Sequence, residues 1–327
     1  MKVFVAGASG ALGKRLVPLL VECGFDVAAM TRSPEKERSV RELGAEPVVA
    51  DGLDRAAVVT AVMRSEPEVV IHQMTGLAGV TSLRNFDKGF ALTNRLRTEG
   101  TDHLLEAARA AGARRFIAQS FGNWNYERTG ASPKSEDDPF DPDPPTKQRK
   151  TLAAIRYLEK AVSGAEGIEG IALRYGTFYG PGTGFAEDGE IAPMVRKRRF
   201  PIVGDGAGVW SFAHVDDAAT ATIAVIERGA RGVYNVADDE PAAVADWLPV
   251  LARALDAKPP RRVPVWLGRL ATGEVGVSMM TRIRGASNAK ARRELGWEPR
   301  WASWRDGFRH GLGEPVAKPG TTARRAG

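Results

Sequence analysis

The stretch KVFVAGASGALG, residues 2–13, decides the fold. Val3 to Ala6 form an apolar run that reads as a buried strand. Gly7, Gly10 and Gly13 follow at three-residue spacing, and the chain then takes up a helical pattern, ALGKRLVPLLVECG, ending near Gly24. Glycine is required where a strand turns sharply, where backbone must approach a pyrophosphate, and where a helix packs closely on a sheet. The helix start then offers free N–H groups and a positive dipole end to phosphate oxygens. A glycine triplet alone is a weak signal; one that leaves an apolar strand and opens a helix is a dinucleotide cradle. The cradle residues are Gly7, Ser9, Gly10, Ala11, Leu12 and Gly13.

The pattern repeats outward from this unit. FDVAAMTR, EPVVA, PEVVIHQ and ARRFIAQS read as short apolar strands. Between them lie SPEKERSVRELG, with Ser33 as expected N-cap and Pro34 at the first helical position, then DRAAVVTAVMRS and the long helix NRLRTEGTDHLLEAARAAG. Continuous apolar strands alternating with helices predict a parallel sheet covered on both faces. The expected class is α/β, a Rossmann-type doubly wound parallel sheet. After Ser120 the rhythm breaks into a long loop carrying five prolines up to Pro145, and from about Pro241 the chain is mostly helical. A smaller, mostly helical C-terminal substrate domain is therefore expected. The boundaries assigned are 1–175 with 212–236 for the dinucleotide domain, 176–211 with 237–313 for the substrate domain, and 314–327 for a disordered basic tail.

Composition narrows the partners. The 327 residues are 43% hydrophobic and 26% charged, which excludes a disordered or collagen-like chain. Of the +6 formal charge, about two units lie in the tail, and no basic stripe with interleaved aromatics appears, so nucleic acid is not an expected partner. No run reaches the ~20 apolar residues of a membrane helix. The single Cys23 lies in an apolar stretch and is expected to be a core thiol. The four histidines show no metal-ligand spacing, so no metal is expected. A cytoplasmic protein acting on a small molecule is the expectation.

The end of the second strand tests which dinucleotide is held. A site for the unphosphorylated form has an acid about 20 residues beyond the glycines, bonded to the ribose 2′-hydroxyl. Here the strand ends in Thr31, Arg32 and Ser33. Arg32 can make a charge-assisted contact to a 2′-phosphate, and Ser33 can donate to it. NADP(H) is favoured, with NAD(H) possible. Asp51 is placed to accept from the adenine amino group or to cap the next helix. Gly52 and Gln73, at the ends of the third and fourth strands, complete the expected cofactor set.

The whole arrangement resembles the extended short-chain dehydrogenase/reductase family, also described as the NAD-dependent epimerase/dehydratase group. The resemblance covers roughly 1–313. It rests on GASGALG, VVIHQ, TEGTDHLLEAARAAGARRFIAQS, LRYGTFYGPGTG, FAHVDDAA, GVYNVADDEP and SNAKARRELGWEPR, in that order. It implies a Rossmann domain holding a nicotinamide dinucleotide and a C-terminal domain closing over the substrate. It also implies that His72 and His214 are structural.

Three departures from the family pattern stand out. The family's acid/base is a tyrosine four residues before a lysine. Lys150 matches that lysine, as the residue that orients the ribose, but Thr146 stands where the tyrosine belongs. A threonine hydroxyl does not titrate near neutrality, whereas a phenol at ~10 can be lowered by a neighbouring ammonium. The family's carbonyl-polarising hydroxyl falls on Phe121, with Ser120 one residue early. Gln119, Asn123 and Tyr126 are further polar groups at the sheet's carboxyl end, and Tyr126 is the candidate replacement phenol. Sugar-nucleotide members carry an arginine before the strand FAHV; here Trp210 takes that place. With Trp124 in the facing loop, this predicts a neutral or aromatic substrate. Tyr175 is assigned to the same substrate wall, and Arg196 to Arg199 read as a solvated helix end.

The function expected is an NADP(H)-dependent oxidoreductase acting on a small apolar or aromatic carbonyl or alcohol, with a non-standard proton relay through Lys150, Ser120, Tyr126 or Thr146. The alternatives are a redox-neutral epimerase or dehydratase with tightly held NAD(P), or a non-catalytic NADP(H)-sensing regulatory protein. The family also implies a homodimer through its fourth and fifth helices, here 94–111 and 150–163.

Overall fold

Strand β1 (Lys2–Ala6) occupies the middle of a parallel sheet, between β2 (Asp26–Thr31) and β4 (Val69–His72). A computed structural model gives this fold for residues 1–77 and 83–314. Outward from β2 lies β3 (Glu46–Val49), and outward from β4 lie β5 (Arg115–Phe121), β6 (Glu169–Tyr175) and β11 (Gly232–Val236). The seven strands run in the order β3-β2-β1-β4-β5-β6-β11. Strand order reverses between β1 and β4, and ligands of such sheets bind in the crevice above that reversal.

Alternation along β1 explains the layers. Val3 and Val5 face one way, against Leu16 and Leu20 of α1 (Gly13–Glu22) and Val225 of α9 (Val215–Arg228). Phe4 and Ala6 face the other, towards α3 (Arg55–Ser65), α6 (Glu99–Ala110) and α7 (Arg149–Ser163). Side chains of successive strand residues point to opposite faces, so a sheet buried on both sides must be apolar throughout. Helix α2 (Glu37–Glu42) covers the β3 edge. The short helices α4 (Phe86–Gly89) and α5 (Ala91–Arg97) precede α6.

A third apolar cluster is built mainly from the C-terminal part, around Trp210, Phe212, Trp247, Trp304 and Phe308. It includes helices α8 (Ala192–Arg196), α10 (Val244–Ala254), α11 (Val265–Thr281) and α13 (Trp304–His310). Helix α12 (Ala289–Leu295) packs instead against α9 and β11. Short strand pairs stitch this part together: β7 (Thr177–Tyr179) with β10 (Phe212–His214), β8 (Ile202–Val203) with β13 (Arg262–Val263), and β9 (Val209–Trp210) with β12 (Ala242–Ala243). Among the described residues, no helix is long and apolar enough to cross a membrane.

Several expectations need correction. Cys23 is exposed at the end of α1, because the helix turns its apolar face away one residue earlier. Ser33 precedes the helical turn at Pro34 but does not cap it; its hydroxyl donates to the Glu35 carboxylate. The long helix breaks at Thr98 (φ −103°, ψ −83°), whose hydroxyl bonds back to the Asn94 and Arg95 carbonyls. From residue 315 onward the expected tail lies outside the described residues.

One buried ion pair ties α7 to the sheet. Arg174 of β6 grips Glu159 of α7 through Nε at 2.9 Å and Nη2 at 2.7 Å. Ser120 of β5 donates to the same carboxylate at 2.5 Å. Arg174 Nη1 donates to the Tyr126 hydroxyl at 3.0 Å, and that hydroxyl donates to Asn235 of β11. The guanidinium also lies over the Phe140 ring, 4.6 Å from its centroid. A buried pair with every donor engaged is tolerated, whereas one partner alone is costly.

Two stability outcomes follow. A Cβ on Gly13 would sit 2.4 Å from the Ala8 carbonyl oxygen, so Gly13→Ala should lower the unfolding free energy by about 1–3 kcal/mol, read from urea midpoints. Glu159→Gln leaves the Arg174 charge buried without its counter-ion and should cost roughly 3–5 kcal/mol in the same assay; a loss below about 1 kcal/mol would show the pair to be dispensable.

Candidate active site

A cavity of ≈ 1150 Å³ opens above the β1–β4 reversal. Its near wall is the glycine loop. Gly7 has φ +97°, and a Cβ there would lie 2.6 Å from the Gln73 backbone. Only glycine lets β1 turn this close to the end of β4. The N–H groups of Ala11, Leu12 and Gly13 line the cavity without a backbone acceptor among the described residues. Three orphan donors at a helix start, beside glycines that keep side chains out, fit a dinucleotide pyrophosphate.

All the other expected cofactor residues except Lys150 line the same cavity: Ser9 and Gly10 in the loop, Thr31, Arg32 and Ser33 after β2, Asp51 and Gly52 after β3, and Gln73 after β4. Arg32 is exposed at this end, beside Lys36. Asp51 does not cap α3; it accepts from the Leu53 N–H at 3.0 Å, and Asp54 caps instead. Gln73 donates to Tyr175, whose hydroxyl meets Thr222 at 2.7 Å, and its buried carbonyl oxygen Oε1 has no partner.

The substrate residues expected from sequence also line the cavity. They are Gln119, Asn123, Trp124, Tyr175 and Trp210. Asn123 is fixed by bonds to Thr177 at 2.9 Å and to the Ser211 carbonyl at 3.3 Å. Trp210 donates to the Met279 carbonyl at 2.8 Å, so its ring presents a face rather than a donor. Phe86, Phe90, Phe121, Phe178, Met279 and Ile283 extend an apolar wall around them. Phe86 and Phe90 stack at 4.2 Å, and Phe86 meets Trp124 edge-on.

The four residues expected to carry proton transfer are not at the cavity. Lys150 and Thr146 are exposed and absent from its lining. The Lys150 and Thr151 N–H groups donate to Asp87 of α4, which caps α7. The first buried pair of α7 at the same four-residue spacing is Thr151 and Ile155, both fully buried. No α7 side chain lines the cavity. Ser120 and Tyr126 are consumed by the Glu159–Arg174 network. Burial pushes the Tyr126 phenol up to about 12, the wrong direction for a proton donor at neutral pH. Burial also raises the Tyr175 phenol.

The histidines are structural in geometry. His72 Nε2–H donates to the Leu96 carbonyl at 3.0 Å, and Nδ1 accepts from the Met74 N–H. Burial holds its pKa down to about 4. His214 bonds the Gly311 carbonyl and the Asp216 N–H, and burial lowers it too. Arg196 and Arg198 bond the Leu255 and Pro259 carbonyls away from the cavity. Among the described residues, no three His, Cys, Asp or Glu side chains converge as a metal site.

Arg97 is a buried, charged lining residue that sequence reading passed over. It is 4% exposed and faces the cavity from the end of α5. In NRLRTEG it looks like its neighbour Arg95, which pairs with Glu99 on the surface. The available signal was helical phase: Thr93, Leu96 and Arg97 form the buried face of α5.

Comparison with known proteins places these features. Residues 3–237 match the model of the NAD dependent epimerase/dehydratase family. A curated relative from a Streptomyces species, a 3-diazoavenalumate denitrifying reductase, is 46% identical, with 94% of this chain and 99% of the relative covered. A 4-hydroxy-2-methyl-3-oxo-4-farnesyl-3,4-dihydroquinoline-1-oxide ketoreductase from Stigmatella aurantiaca is 28% identical, with 92% of each covered. The Thermotoga maritima UDP-glucose 4-epimerase, solved with UDP-glucose, shares the fold at a TM-score of 0.73 and 23% identity, over 95% of this chain and 97% of the other. With its seven-stranded Rossmann sheet and glycine cradle, the chain belongs to the NAD-dependent epimerase/dehydratase family.

Proposed function

We propose that this protein is an NADP(H)-dependent reductase whose substrate is an aromatic compound bearing an electron-poor acceptor, with an aryl diazo group as the first candidate. The carrying observation is a cavity with a dinucleotide cradle at one end, an aromatic wall at the other, and no phenol free to act as an acid. When bound, the reduced nicotinamide supplies a hydride. The glycine loop and the α1 N-terminus hold the pyrophosphate. Arg32, with Lys36 behind it, receives the 2′-phosphate. Phe86, Trp124 and Trp210 enclose the aromatic ring and exclude water.

The lack of a free phenol at the cavity selects the acceptor. Reducing a ketone to an alcohol needs a proton on the developing alkoxide. An aryl diazonium is already cationic. A hydride added to its terminal nitrogen gives a neutral aryl diazene, which releases dinitrogen and leaves the arene. The charge balances without a proton from the wall. The 46% identical relative, named a 3-diazoavenalumate denitrifying reductase, supports this class of substrate. A nucleotide sugar fits less well: the lining cations among the described residues are Arg32, Lys36 and Arg97, and the aromatic end also carries Asp188 and Glu190.

We further propose that segments 176–211 and 237–313 form a substrate domain over a dinucleotide domain of 1–175 and 212–236. The same reading keeps the protein in the cytoplasm, where NADPH is available, and pairs two copies through 94–111 and 150–163.

Three outcomes test these readings. Purified protein should oxidise NADPH with an aryl diazo substrate and release dinitrogen, while the matching aryl ketone gives no turnover; ketone turnover alone would overturn the proposal. Arg32→Ala should lower the preference for NADPH over NADH by about tenfold or more, the order of one lost charge-assisted contact. Tyr126→Phe and Lys150→Ala should keep kcat within about threefold of the parent, under 1 kcal/mol of barrier; a loss of a hundredfold in either would return that residue to the reaction.

A further inference from the structure

Arg97 has no counter-ion hydrogen-bonded to it among the described residues. Its Nε and Nη1 are shut from solvent and have no hydrogen-bond partner among those residues. A buried cation without a partner is expensive, and interiors normally supply one. Glu159, whose charge reaches Arg97, is gripped by Arg174 and Ser120. His72 is held neutral by burial. Helix α7 brings no ammonium into the cavity either, since none of its residues lines it. The guanidinium is thus a fixed, desolvated positive charge in the cavity wall with unused donors.

We infer that Arg97 is a ligand-binding residue whose planar fork receives a pair of oxygens from the bound ligand. Two sources carry that chemistry here: a carboxylate on the aromatic substrate, and the vicinal hydroxyls of a cofactor ribose. Both present two acceptors at the spacing a guanidinium matches, and the low dielectric around a buried fork strengthens the contact. The inference rests on the reductase reading for its choice of ligands. It also gives a reason for an arginine on the buried stripe of α5, where leucine would pack at lower cost.

The experiment is a binding measurement on the intact protein. Arg97→Met and Arg97→Lys are compared with the parent in apo melting temperature, in affinity for NADPH, and in affinity for cinnamate and cinnamamide with NADP+ saturating. Arg97→Met should melt at or above the parent temperature, because it removes an uncompensated buried charge. It should lose at least about tenfold in one affinity, the order of a lost charge-assisted bond. A loss confined to NADPH assigns the ribose. A loss for cinnamate but not for cinnamamide assigns the carboxylate. Arg97→Lys should recover part of that loss. A lower melting temperature with both affinities within twofold would make Arg97 structural and overturn the inference. If Arg97→Met does not fold, unchanged affinities in Arg97→Lys overturn it equally. These readouts stand whether or not an aryl diazo compound is turned over.

Discussion

The buried grip of Arg174 on Glu159 governs what this cleft can do. It fastens α7 across β5 and β6, and so fixes the floor beneath the cavity. Satisfying that pair requires further donors and acceptors, and the chain recruits Ser120, Tyr126 and Asn235 to complete it. Two of the three are hydroxyls that stand, by sequence, where a reductase would look for its proton relay. Once committed to a buried network, a hydroxyl is both misplaced and energetically unavailable. The fastening of α7 and the engagement of these two hydroxyls away from the cavity have one cause.

The two arginines of this region make the contrast plain. Arg174 has its charge met by a bidentate carboxylate and its face covered by Phe140. Arg97 is buried to a similar depth, with its Nε and Nη1 unmet among the described residues. A folded protein carries such a cost where a ligand removes it. The cofactor end of the cavity depends on backbone, through glycines and helix N–H groups. The substrate end depends on aromatic faces. Arg97 stands in the wall as a charge that neither end accounts for.

The cofactor half was legible in the sequence because backbone sterics leave little choice. No residue but glycine allows the approach at Gly7, and the strand ends that follow are fixed by the parallel topology. The catalytic half was not. Lys150 matched the family pattern by its place after the proline loop, yet one residue of helix turns a side chain by about 100°. The inward face begins at Thr151, so Lys150 points to solvent. The partners of Ser120 and Tyr126 lie up to 109 residues away, and only the folded chain shows that these hydroxyls are engaged. The aromatic wall was partly legible through Trp124 and Trp210; Phe86 and Phe90 belong to short helices with no strong pattern of their own.

The central claim is that hydride transfer here proceeds without an acid from the protein. Burial holds the His72 imidazole down to about 4 and pushes the Tyr126 phenol up to about 12, so neither titrates between pH 6 and 8, and burial raises the Tyr175 phenol as well. The most direct measurement is the single-turnover rate of NADPH oxidation by an aryl diazo substrate, followed by stopped flow across that range. The account predicts a rate constant within about twofold throughout. A rate that falls about tenfold per pH unit on either side would reveal a titrating acid or base and contradict it.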